Sequence, residues 1–178
     1  MLHLAAVVIA VSLTLGPPAQ PGAPPRDGEI RTVYDAALDR TDVWLTIEPR
    51  SREGLATPAG MVLTVRRSFA GKAARVPAAL FDVRVSAGLM AAPRPELSLV
   101  ADGGEIDLAA GNPEALQKSA EGVSLSSTIP AETLKRAAAA GRLTGNALGF
   151  AFELTASQRQ ALRTFVARAL GADPADAK

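Results

Sequence analysis

Glu105 and Asp107 are the residues that most directly invite a chemical reading. They are carboxylates at positions i and i+2 of the run Glu105-Ile106-Asp107-Leu108. On a strand such residues share one side, about 7 Å apart, a separation at which two acids can flank a glycosidic bond. Acids alternating with Ile106 and Leu108 are also what any solvated sheet face shows, and that plainer reading is the stronger. Asp35, Asp39 and Asp42 form a second acidic group. Calcium takes about six to eight oxygens, but the spacing is not that of an EF-hand and no glycine lies within the group. These aspartates read instead as turn and cap residues that bond nearby backbone N–H groups. Ser68 and Lys72 do not have the spacing of a Ser-x-x-Lys motif. Ala70-Gly71-Lys72 lacks the spaced glycines of a phosphate loop and reads as a hairpin turn.

Two missing residue types narrow the chemistry further. The chain has no cysteine, and its one histidine is His3. Imidazole is the usual group for moving protons near neutrality. A Ser-His-Asp or Cys-His constellation is therefore excluded from the region beyond residue 3. Zinc prefers Cys and His ligands, so a zinc site is not expected either. No cofactor, metal or catalytic residue is assigned. What is left is carboxylate, Lys or Tyr chemistry, with a carboxylate-dependent glycoside hydrolase or another envelope polysaccharide enzyme as the alternative to a non-enzyme. Aromatic residues make up 4% of the chain, few for the stacking that sugar sites use.

Trp44 is the candidate binding residue. It is the single tryptophan. In Thr41 to Glu48, period-two alternation puts Thr41, Val43, Leu45 and Ile47 on one face and Asp42, Trp44, Thr46 and Glu48 on the other. If the Trp44 face meets water, the ring is an exposed anchor for a ligand or partner. If the C-terminal helix covers that face, the ring is core. The second reading is preferred, because the helix's apolar stripe needs a surface to pack on.

The N-terminus points to export. Leu4 to Leu15 is an uncharged run of 12 residues, short of the roughly 20 that a spanning helix needs and suited to the apolar region of a secretory signal. Residues 1–19 are read as that signal, although its first residues, Met1-Leu2-His3, carry no Lys or Arg. Residues 20–28, rich in Pro and Gly, are read as an extended linker. Residues 29–171 are read as one β-rich domain and 172–178 as a flexible tail. The expected location is periplasmic or extracellular, with no stable membrane span once the signal is removed; an uncleaved N-terminal anchor is the alternative. With 19 basic and 18 acidic residues and no block of one sign, the chain shows no basic stripe for nucleic acid.

Within the domain, further alternating strands are expected at 60–69, with Met61, Leu63 and Val65 inward, and at 80–86, with Phe81, Val83 and Val85 inward. Two alternating runs flank Asp102-Gly103-Gly104, whose residues tolerate the positive φ of a tight hairpin. Val123 to Ile129 is a strand ended by Pro130, followed by a short helix near 131–140 that Gly141 stops. Arg142 to Leu154 reads as one strand bent at its glycines. Thr155-Ala156-Ser157-Gln158 is a capping box, and the helix near 156–170 carries Leu162, Phe165, Val166, Ala169 and Leu170 as one stripe. The fold expected is mainly β, with α+β character: an antiparallel sandwich of about seven strands and two helices.

Tyr34-Asp35 and Asp39-Arg40-Thr41, leading into the first alternating strand, and Gly149 to Thr155 (GFAFELT), leading into the last helix, resemble a widespread group of uncharacterised exported bacterial β-rich proteins that close on a helix. The likeness covers most of residues 30–171 and implies export and the fold, with no activity or site residue to carry over. The function expected is a non-catalytic exported binding or structural module whose partner is a protein or a small apolar ligand.

Overall fold

The computed structural model describes residues 26–52, 60–72, 80–88, 93–106, 116–120 and 122–170. The signal stretch, most of the linker, Asp107 and the C-terminal tail lie outside the described residues. Among these residues the chain is mainly β, with two antiparallel sheets and two helices.

The larger sheet is built from β1 (Ile30–Asp35), β2 (Arg40–Ile47), β4 (Val62–Ala70), β5 (Leu80–Ala87), β8 (Gln117–Ser119) and β9 (Gly122–Pro130), in the order β1-β2-β4-β5-β9-β8. The smaller sheet joins β3 (Arg50–Ser51), β6 (Leu97–Ala101), β7 (Gly104–Ile106), β10 (Leu143–Ala147) and β11 (Phe150–Glu153), in the order β3-β11-β10-β6-β7. Among the described residues there are thus 11 strands where about seven were expected. The extra ones have physical reasons for escaping notice. β3 and β8 are two and three residues long, and β1 is an edge strand whose burial does not alternate.

Alternation in the central strands is observed as expected. Val43, Leu45 and Ile47 in β2, Leu63 and Val65 in β4, and Phe81, Val83 and Val85 in β5 are all buried in one core. Antiparallel register sets them side by side, for example Leu45 beside Val65 and Val65 beside Val83. Each such side chain contributes roughly 1.5–3 kcal/mol on burial.

Two helices pack against the core. β9 runs without a loop into α1 (Ala131–Ala139). Pro130 stands at the N-cap, with φ of −63°, and not inside the first turn. Ala140 is extended, so the helix ends one residue earlier than expected. Gly141 does not cap it by a left-handed turn; its N–H and that of Arg142 donate to the Asp102 carboxylate, at 3.2 and 2.8 Å. α2 (Ala156–Ala169) has the full capping box: Thr155 Oγ1 accepts from Gln158 N–H at 3.3 Å, and Gln158 Oε1 accepts from Thr155 N–H at 2.9 Å. Its stripe of Leu162, Phe165, Val166 and Ala169 is buried, with Leu170 packed beside it. Phe165 meets Phe81 edge to face, ring centres 5.9 Å apart. α1 touches β5, β9 and α2 and also reaches β6 of the smaller sheet, while α2 touches β2. The inner face of the larger sheet is therefore covered in part by helices, where a plain sandwich would place only strands.

The stretch from Arg142 to Leu154 is a hairpin and not one bent strand. Leu148 and Gly149, with φ of 55° and 91°, turn β10 back into β11. Leucine rarely adopts positive φ, so Gly149 alone signalled a bend and the pair did not read as a hairpin turn; the buried Leu148 side chain, 1% exposed, holds it there. The other expected hairpin forms as read, with Asp102 and Gly103 at φ of 50° and 85° between β6 and β7. Gly145 is needed for close approach. A Cβ there would lie 2.3 Å from the Ser98 carbonyl oxygen and 2.7 Å from Phe152 Cζ.

The end of the proline-rich stretch belongs to the domain. Gly28 N–H donates to the Thr46 carbonyl at 2.8 Å. Asp27 accepts from Glu48 N–H at 2.9 Å and from Nε2 of the buried Gln158 at 3.0 Å. A buried amide needs such acceptors, and Asp27 supplies one from the segment read as a linker.

Candidate functional site

α2 packs on the side of the larger sheet that carries Val43, Leu45 and Ile47. Trp44 points the other way. It is half-buried on the outer face, contrary to the expectation that the helix would cover it. The stripe found its surface on the opposite side of the same strand.

Trp44 lines a broad concavity of about 790 Å³ on that outer face. The twist common to antiparallel sheets curves such a surface. Register builds it in rows across the strands. One row runs from Trp44 to Arg66, Asp82 and Thr128. The next runs from Thr46 to Thr64, Arg84 and Ser126. The surface is therefore one indole, two guanidinium groups, two carboxylates counting Asp42, and a field of hydroxyls.

Asp42 is the electrostatic hub. Its carboxylate accepts from Arg66 Nη2 at 2.9 Å and from Ser68 Oγ at 2.6 Å, and lies 3.4 Å from Arg40 Nη2. Partial burial raises its pKa, but the bonds from Ser68 and Arg66 and the charges of Arg66 and Arg40 together outweigh that and hold it below the ordinary aspartate value. Arg84 donates from Nη2 to Ser124 Oγ at 3.1 Å. Among the described residues, neither Arg84 nor Asp82 forms an ion pair, so each presents a charged planar group to the concavity.

The other sequence candidates are dispersed. Asp35 Oδ1 accepts from the N–H groups of Ala37 and Leu38 at 2.9 and 3.2 Å, closing the β1–β2 turn. Asp39 has φ of 44° and accepts from the Tyr34 hydroxyl at 2.8 Å. That bond, first among the causes, raises the tyrosine's pKa. With Asp42 on the outer face, the three aspartates do not form a cage. Among the described residues no three His, Cys, Asp or Glu side chains gather to hold a metal ion. Glu105 is exposed, and its sequence partner Asp107 lies outside the described residues. Ser68 bonds Asp42, while the Lys72 ammonium sits over the Tyr34 ring, 5.2 Å from its centre. At the end of β4, Gly71 has φ of 74° and its N–H donates to the Asp39 carbonyl at 2.7 Å; the residues that would complete the hairpin expected at Ala70-Gly71-Lys72, 73–79, lie outside the described residues.

Sequence reasoning singled out Trp44 but not Arg66, Asp82 and Arg84. The signal was present in their outward alternation on β4 and β5. Only strand order puts them in one row with the indole.

Comparison with protein-family models, with curated proteins and with solved structures found no match. Among the described residues no helix is long and apolar enough to cross a membrane.

Proposed function

We propose that the protein is a non-catalytic binding module, exported through its N-terminal segment, whose larger sheet takes a polar, hydroxyl-bearing ligand on its outer face against Trp44. The observation that carries this is the display of the chain's single indole in a concavity otherwise lined by charged groups and hydroxyls. Its volume of about 790 Å³ falls within the roughly 300–1,000 Å³ typical of small-molecule sites. An indole offers a flat apolar face to the C–H side of a sugar ring. Asp82 and Arg84, at i and i+2 on β5, offer charged hydrogen-bonding groups to hydroxyls. A purely apolar ligand would leave those groups desolvated and unpaired, which is costly. Asp42, held in its ionised form, is the opposite of the proton-loaded acid that glycoside hydrolysis requires.

Calorimetric titration with a panel of short neutral oligosaccharides tests the reading. Saturable binding is expected, accompanied by a shift in Trp44 fluorescence and weakened at least about tenfold by Trp44→Ala, equivalent to about 1.4 kcal/mol. Absence of binding across the panel, or binding indifferent to Trp44→Ala, overturns the ligand. Hydrolysis of a bound glycan, lost on Asp42→Asn or Asp82→Asn, overturns the non-catalytic part. N-terminal sequencing of the protein recovered outside the cytoplasm tests export.

A further inference from the structure

We propose that the protein self-associates through β1, two copies pairing their β1 strands antiparallel about a two-fold axis at Val33 to join two six-stranded sheets into one. This does not depend on the ligand reading.

The sheet edges differ in how they are protected. Among the described residues the other edge strands, β8, β3 and β7, are three, two and three residues long, and β8 carries Lys118. Short edges and lysines are common defences against strand addition. β1 has six residues, Ile30 to Asp35, without lysine or proline. Val33 and Tyr34 on it are 49% and 37% exposed.

The hydrogen-bonding parity of this edge can be read from its partner. Thr46 N–H donates to the Glu29 carbonyl at 3.1 Å, and the Thr46 carbonyl accepts from Gly28 N–H. Thr46 therefore directs its backbone groups toward the β1 side, as do Trp44, Asp42 and Arg40 by alternation. Their register partners Arg31, Val33 and Asp35 direct theirs into the same ladder. Among the described residues, Ile30, Thr32 and Tyr34 are left with N–H and C=O groups aimed outward.

A second β1 can satisfy those groups only in registers that match outward residues with outward residues. Centring the pair on Val33 sets Thr32 opposite Tyr34 of the other copy, twice, for four backbone hydrogen bonds. Val33 then meets its own counterpart, and Arg31 meets Asp35 of the other copy on both sides of the axis. These are non-hydrogen-bonded positions, where side chains come closest. A shift of two residues removes the match: one direction sets Glu29 against Asp35 and the other sets Val33 against Asp35. Arg31 already bonds Glu29 at 2.8 Å, and its five-donor fork can serve a second carboxylate. The outer faces of the two sheets would then form one continuous surface.

Sedimentation equilibrium of the secreted protein tests this. Wild type is expected to form a dimer with increasing concentration. Thr32→Pro removes an outward N–H while sparing the β1–β2 ladder and should weaken association at least about tenfold. Arg31→Asp alone sets carboxylates against carboxylates at both pairs, and Asp35→Arg alone sets guanidinium against guanidinium. Each should be monomeric by itself, and an equimolar mixture should recover the dimer. That recovery requires both variants to be folded, so it separates a lost interface from a lost fold. A wild type that stays monomeric to near-millimolar concentration overturns the proposal. So does a dimer that neither Thr32→Pro nor the charge reversals disturb, since its copies would meet elsewhere.

Discussion

The two faces of the larger sheet are made by the same strands and obey opposite rules. On the inner face, Leu45, Val65, Val83 and Phe165 from α2 are nearly sealed from water and held by packing alone. On the outer face, Trp44, Arg66, Asp82 and Arg84 keep contact with solvent, and their order comes from register and charge. The difference teaches that stability and recognition are separable here, residue by residue, along a single strand. A change at Leu45 should threaten the fold, and one at Trp44 should threaten the ligand.

Three substitutions would break or sharpen that contrast. The largest effect is expected from Phe165→Ala, which empties a site of 0% exposure and removes the edge-to-face contact with Phe81. It should lower unfolding free energy by about 3–5 kcal/mol in a denaturant titration; a loss below ~1 kcal/mol would contradict a close-packed inner face. Next comes Asp42→Asn, expected to cost about 1 kcal/mol near neutral pH, at the upper end for a partly exposed ion pair. Because the folded pKa of Asp42 is depressed, its contribution is fully present above the ordinary value of 3.8 and disappears as pH falls through the folded value. Wild type and variant should therefore converge in acid, and a constant gap between their stability profiles would refute the ion-pair account. The smallest stability change belongs to Arg84→Ala, whose side chain is exposed and bonds Ser124. Its melting curve should stay within about 0.5 kcal/mol of wild type while oligosaccharide affinity falls, and an equal loss of both would erase the contrast.

Much of the core was legible beforehand because burial in a strand repeats every second residue. Gly60 to Phe69 and Leu80 to Ser86 named their inward side chains correctly, whereas Thr41 to Glu48 separated its two faces but the face preferred for the helix was the one that turned out to face away from it. The capping box at Thr155 and Gln158 was equally plain, since it depends on two residue types at a fixed spacing. Where local patterning failed, the decisive contact was distant. Leu148 occupies a turn position that leucine normally avoids because its side chain fills the core. β1 was not read as a strand because its pairing with β2, not its own pattern, defines it. Asp27 looked like linker until Gln158, far along the chain, required an acceptor.

What the sequence determined by itself is the local grammar: alternating strands, two helices, the capping box that opens the second, and the absence of thiol and of imidazole beyond residue 3. Only the tertiary structure decided which sheet face α2 covers, because both faces of β2 are presented equally by a period-two pattern and the choice rests on long-range packing. That choice turned Trp44 outward and, through strand order, put it beside Arg66, Asp82 and Arg84. Side chains contributed by three strands become neighbours only through hydrogen-bonded register, a relation that distance along the chain does not encode.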